Sequence, residues 1–176
     1  MTNSMWHFPL EHCNGIPVGT HPGSFGAKRK YDVHTGVDLY TQEAEPVYAV
    51  EDGVVTKVDI FTGGDIGLDW WEETYAITVR GETGYVNYGE IHKPENINIG
   101  DKVTRGQFIA NVKRVLKTDK NSKIPGHEVC MLHIEIYKEE VFDYALWKIG
   151  EDKPENILDP TPFLEKSRGT LKLLQI

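Results

Sequence analysis

Apolar side chains in this sequence come in short runs, several of them alternating with polar ones, and turn residues separate the runs. Residues 47–50 (Val-Tyr-Ala-Val) and 54–60 (Val-Val-Thr-Lys-Val-Asp-Ile) flank Glu51-Asp52-Gly53. In the second run Val54, Val58 and Ile60 take one face and Lys57 and Asp59 the other, the period of a half-buried strand. Residues 75–80 and 85–91 flank Gly81-Glu82-Thr83-Gly84, which predicts a hairpin. Two further short runs, 97–103 and 106–112, precede a strand over 131–137. Helical patterning is confined to 139–148 and 162–166. The segment 113–128 is polar with a net positive charge and reads as a long surface loop, a kind often functional in a compact domain. With 17 Gly and 9 Pro punctuating the chain, the predicted class is mainly β.

At 176 residues the chain is most simply one domain, 1–176, large enough to bury roughly 70% of its unfolded surface. Nineteen Lys and Arg against 27 Asp and Glu leave a net charge of −8, which argues against nucleic acid or an anionic membrane as the main partner. A peptide substrate remains open. No run of 18 apolar residues predicts membrane insertion. Residues 1–20 lack the apolar core of a signal peptide, so the expectation is a chain made in the cytoplasm. Cys13 and Cys130 are the two cysteines, expected as reduced thiols with Cys130 buried.

Three residues carry candidate chemistry. On the strand 131–137, Leu132, Ile134 and Ile136 form an apolar face, so His133 projects to the other side with Met131, Glu135 and Tyr137. His34 and Asp38 lie in Asp32-Val-His-Thr-Gly-Val-Asp-Leu-Tyr40, where Gly36 and Val37 favour a turn running into a strand over a helix. Each residue alone is compatible with an ordinary sheet histidine or a turn aspartate. Together, two imidazoles and a carboxylate are a common ligand set for a catalytic zinc, which keeps a fourth position open. The same face rule puts Tyr88, Glu90 and His92 side by side, with Glu90 as a candidate general base.

The motifs now resemble a family. Gly26-Ala-Lys-Arg-Lys-Tyr-Asp-Val-His34-Thr-Gly-Val-Asp38-Leu, then Glu45-Pro-Val-Tyr-Ala-Val-Glu-Asp-Gly-Val-Val, Tyr88-Gly-Glu-Ile, Ile99-Gly-Asp-Lys-Val-Thr-Arg-Gly-Gln-Phe-Ile and Leu132-His-Ile-Glu-Ile136 follow in order, with Ile157-Leu-Asp-Pro-Thr-Pro-Phe-Leu behind. They resemble the lysostaphin-type, LytM-like zinc endopeptidases that cut peptide cross-bridges in bacterial cell walls, from about residue 8 to 164. The resemblance implies a twisted antiparallel β-sheet with a metal-binding groove, Zn2+ held by His34, Asp38 and His133, and a peptidoglycan stem or bridge peptide as substrate. It also exposes two departures. The family has histidines where this chain has Glu90 and Met131, the presumed base and the stabiliser of the tetrahedral intermediate. Glu90 could replace the base, with His92 and His127 as candidates to fill in, and Tyr88 and Trp71 as candidate substrate contacts.

Two other readings follow from the same residues. Loss of both histidines would suit a catalytically degenerate zinc-binding module that recognises a peptide or protein partner. Gly100-Asp-Lys-Val-Thr-Arg-Gly-Gln107 also resembles the barrels of biotinyl or lipoyl carriers. That reading leaves His34, Asp38 and His133 unexplained and lacks a hairpin with a central modifiable lysine. A wall substrate would further require that the chain be phage-encoded or exported by a route without a leader.

Overall fold

The structure, a computed structural model, describes residues 5–63, 71–117, 129–168 and 173–174. In chain order its elements are β1 (Ile16–Pro17), β2 (Val37–Tyr40), β3 (Pro46–Tyr48), β4 (Gly53–Thr62), β5 (Thr74–Arg80), β6 (Tyr85–Ile91), β7 (Lys102–Val103), β8 (Phe108–Asn111), β9 (Met131–Tyr137), β10 (Ile157–Leu158), helix α1 (Thr161–Arg168) and β11 (Leu173–Leu174). The mainly β class predicted from the apolar alternation holds.

One antiparallel sheet runs β10-β9-β6-β5-β4-β7, and β2 joins β9 on the same edge as β10. Strand β9 is therefore central, and its residues are all buried. Leu132, Ile134 and Ile136 meet Val37, Leu39, Ile77, Val79, Val86 and Tyr88 in the main core. The opposite face carries Asp38 and Tyr40 from β2, His133 and Glu135 from β9, and Asn87 and Gly89 from β6, because Asp38 pairs with His133, Gly89 with His133 and Asn87 with Glu135. A layer of polar groups is thus laid across three neighbouring strands.

Two expectations about elements need correction. Residues 139–148 form bends and an isolated bridge, not a helix. Their chain is tied to neighbours instead: the Tyr137 hydroxyl accepts from the Ala145 amide (3.1 Å), and the Trp147 carbonyl from the Val33 amide (2.8 Å). The run 97–103 is strand only at Lys102–Val103, and β3 pairs with β8 in a separate two-stranded sheet. Cys13 and Cys130 form no disulfide, and Cys130 is buried. Among the described residues no helix is long and apolar enough to cross a membrane.

Candidate metal centre

His34 is positioned by short-range backbone bonds just before β2. Its amide donates to the Ala27 carbonyl and its carbonyl accepts from the Gly26 amide, both at 2.9 Å. The His34 Nδ1 lies 2.9 Å from the Ser24 carbonyl, so Nδ1 carries the proton and Nε2 is left as a lone-pair donor. Gly36 lets the turn lie flat on β9. A Cβ there would stand 2.5 Å from the Ile134 carbonyl oxygen and 2.9 Å from the His133 ring. The chain then enters β2, and ladder pairing sets Asp38 opposite His133.

Three atoms converge as a result. Asp38 Oδ1 lies 2.7 Å from His133 Nδ1 and 3.1 Å from His34 Nε2, and the two imidazole nitrogens are 3.1 Å apart. Around a tetrahedral zinc with bonds of about 2.0–2.1 Å, ligand atoms stand about 3.3–3.4 Å from one another. The observed triangle is a few tenths of an ångström tighter, and the donor chemistry is right for that metal. The His34, Asp38 and His133 side chains are only 2%, 4% and 7% exposed.

The surrounding groups orient the triad. Arg29 Nη2 donates to Asp38 Oδ2 at 2.6 Å, which leaves Oδ1 turned to the centre. Glu135 Oε1 lies 3.0 Å from His133 Nε2, ion-pair distance though off the line of a hydrogen bond. Glu135 itself accepts from the Thr35 hydroxyl (2.5 Å), the Tyr137 hydroxyl (2.7 Å) and the Asn87 amide (3.2 Å). The Phe61 ring packs 5.3 Å from the His133 ring, room made by Gly89, whose Cβ would stand 2.6 Å from Phe61.

Electrostatics follow this geometry. Burial lowers the His34 imidazole, more than the Asp38 charge raises it, so it is neutral and fit to ligate. Burial raises the Asp38 carboxyl, but the His34 imidazole when protonated, the Arg29 charge and the His133 hydrogen bond hold it well below the usual carboxylate range. Burial lowers His133, yet the Glu135 charge and the Asp38 hydrogen bond win and push it up to about 10. Glu135 is raised by burial and brought down by His133, to about 2. A metal would displace the His133 Nδ1 proton on binding.

The structure separates the other sequence candidates. Tyr88 was expected to share a face with Glu90 and line the site, but it is 0% exposed in the core and its hydroxyl accepts from the Val50 amide at 2.9 Å. Tyr88 lies opposite Ile134 on the core face, and a β-bulge just beyond it parts Glu90 from that face. Ala76 pairs with Gly89 and Tyr75 with Ile91, so Glu90 is skipped, with φ at 64°. This swings Glu90 away from the core face of Tyr88. Its charge couples to Asp38 and His133, and its Oε2 is buried with no hydrogen-bond partner among the described residues. Burial first, then the Asp38 charge, push the Glu90 carboxyl up to about 8. His92 does not join this group; it pairs with Glu43 on the surface. Trp71 is half-buried in an isolated bridge opposite Leu116. His127 lies outside the described residues. Met131 is 4% exposed, on the His133 side of β9 and opposite Tyr40.

Sequence reasoning assigned nothing to Arg29, Glu135 or Phe61. Glu135 was accessible to it, since it lies two residues beyond His133 and shares its face. Arg29 and Phe61 reach the site through a hairpin and a strand that only folding brings there.

Comparison with known proteins bears on the same region. The family model "Peptidase family M23" matches residues 32–143, which holds all three triad residues and Glu90 and covers more than half of the chain. No curated protein sequence matches. The solved catalytic domain of lysostaphin from Staphylococcus simulans superposes with a TM-score of 0.52 at 19% identity, over 81% of this chain and 89% of that one. CbpA from L. salivarius REN gives a TM-score of 0.57 at 16% identity, over 95% and 99%. A peptidase M23 structure from Pseudomonas aeruginosa gives 0.51 at 16% identity over 94% of this chain, which spans only 52% of that protein. Neighbours this distant in sequence speak for the fold, and the matched family model speaks for the lineage: this chain belongs to Peptidase family M23.

Proposed function

We propose that the chain is a zinc-dependent peptide-bond hydrolase acting on peptidoglycan-type peptides, with His34, Asp38 and His133 as the ligands and Glu90 as the general base. The observation that carries this reading is the convergence of three buried ligand residues, with Glu90, one of whose carboxyl oxygens is buried without a hydrogen-bond partner among the described residues, in electrostatic reach of Asp38 and His133. When bound, zinc would supply Lewis acidity and lower the pKa of a water in its open position. The protein residues do the rest. Ser24 and Glu135 orient the two imidazoles, and Arg29 holds Asp38 by the oxygen turned away from the centre. Glu90 in its ionised form, populated near and above pH about 8, takes the proton of the attacking water, and its environment favours the protonated form once the proton has arrived. Glu90 does not belong to the ligand cluster, whose atoms all lie within 4.8 Å of one another, as suits a base that acts across a water.

The test is metal content of the purified, unchelated protein beside His34→Ala and His133→Ala, followed by cleavage of a wall-bridge peptide by wild type and Glu90→Gln. About one zinc per chain, lost in both histidine variants, and turnover lost in Glu90→Gln support the reading. Undiminished turnover in Glu90→Gln would remove Glu90 from the mechanism.

A second reading, a zinc-binding module without turnover, is favoured by Met131, whose thioether can neither take a proton nor donate to an oxyanion. Robust zinc-dependent cleavage would sink it.

A further inference from the structure

A peptide hydrolase needs a group that meets the negative charge built up on the carbonyl oxygen, and loss of such a group typically costs about 10²–10³ in rate. Met131 offers none. Among the described residues, Arg29 is the permanently cationic side chain in contact with the triad. Its Nη2 serves both of its partners, Asp38 Oδ2 at 2.6 Å and the Pro22 carbonyl at 3.3 Å. Among the described residues, Nη1 and Nε meet no acceptor. The Arg29 side chain is 37% exposed, while the three triad side chains are 7% or less. One edge of the guanidinium therefore rests on the triad carboxylate, and the side chain keeps part of its surface open to solvent, with Nη1 and Nε free to take an acceptor. The charge reaches beyond Asp38, for Arg29 also acts on Glu90.

We propose that Arg29 binds the oxyanion of the tetrahedral intermediate through Nη1 and Nε. This rests on the hydrolase reading above. As the water oxygen bonds to the carbonyl carbon, its proton passes to Glu90 and the carbonyl π pair moves onto oxygen. That oxygen meets two N–H donors of a planar fork whose charge does not depend on pH. A donor already held by Asp38 loses little freedom when the charge develops, which is the condition for a large effect.

The test uses the zinc-loaded full chain with inorganic phosphate as a tetrahedral anion. Phosphate affinity is measured by calorimetry for wild type and Arg29→Gln, with zinc content determined on the same samples. The expected result is about one zinc in both and phosphate affinity lower by roughly ten- to a hundredfold in the variant. With a bridge peptide, the variant should lose kcat and keep KM. Equal phosphate affinity with zinc retained would overturn the proposal and leave Arg29 as a holder of Asp38. Should Arg29→Gln lose its zinc, wild type decides alone. Saturating phosphate should slow modification of Arg29 by phenylglyoxal, mapped by mass spectrometry, and an unchanged rate would overturn the proposal. A wild-type protein that takes up no zinc would bring down the hydrolase reading and this inference together, an outcome distinct from zinc retained with phosphate indifferent to Arg29.

Discussion

Glu90 carries two costs at one position. Its backbone sits in the left-handed region at φ 64°, which is unfavourable for any residue with a Cβ, and its buried carboxyl has an oxygen without a partner. Such costs persist where something other than stability keeps the residue. Glu90→Gly should accordingly raise the stability of the zinc-free protein by about 1 kcal/mol or more while abolishing peptide cleavage. Paired denaturant melts and turnover assays check this, and a variant less stable than wild type would show that the bulge depends on the glutamate. Gly36 makes the opposite case. A methyl group there would press on the Ile134 carbonyl and the His133 ring, so Gly36→Ala should cost about 1–3 kcal/mol and weaken zinc binding, measurable by competition with a chromogenic chelator.

At the scale of elements, β9 and its partners explain why the site is where it is. Three strands present alternate residues to the same side, and the pairings Asp38–His133 and Asn87–Glu135 place a candidate ligand pair and its supporting pair on neighbouring ladder rungs. The bulge in β6 is the one irregularity the site needs. Tyr88, opposite Ile134, stays in the core, where its hydroxyl accepts from the Val50 amide, and the bulge beyond it turns Glu90 out. Tyr88→Phe should therefore cost about 1–3 kcal/mol through the unsatisfied amide, yet leave zinc stoichiometry at the wild-type value. If that substitution changed KM and not stability, Tyr88 would be a substrate contact after all. The sheet face was legible in advance because alternation in β9 is unbroken; the position of Glu90 was not, because an extra residue breaks the period of two and Gly89 inside the strand marks only that a bulge is allowed there.

For the whole molecule, the triad ties the segment before β2 to a strand 95 residues further along the chain from Asp38. Metal that binds only the folded protein adds its binding free energy to stability, about 2.7 kcal/mol at a free zinc concentration one hundred times Kd. Zinc should raise the melting temperature by about 5–10 °C at that concentration, and a chelator should reverse the shift. His133→Ala should melt at the same temperature with and without zinc. A zinc response that survives this substitution would place the metal elsewhere.

Local rules were enough to set which side chains of β9 point away from the core, because direction within a regular strand depends only on position in that strand, whereas His34 and Asp38 came out as candidates from their residue types and the family resemblance. They were enough for the mainly β class as well. What the tertiary structure alone decided is which of those directions meet. The ladder between β2 and β9 closed the triad, the skipped pairing in β6 split Glu90 from Tyr88 and left His92 with Glu43, and the turn before β2 carried Arg29 onto Asp38. Each of these depends on hydrogen bonds to partners distant in sequence, and no periodicity within one segment encodes them.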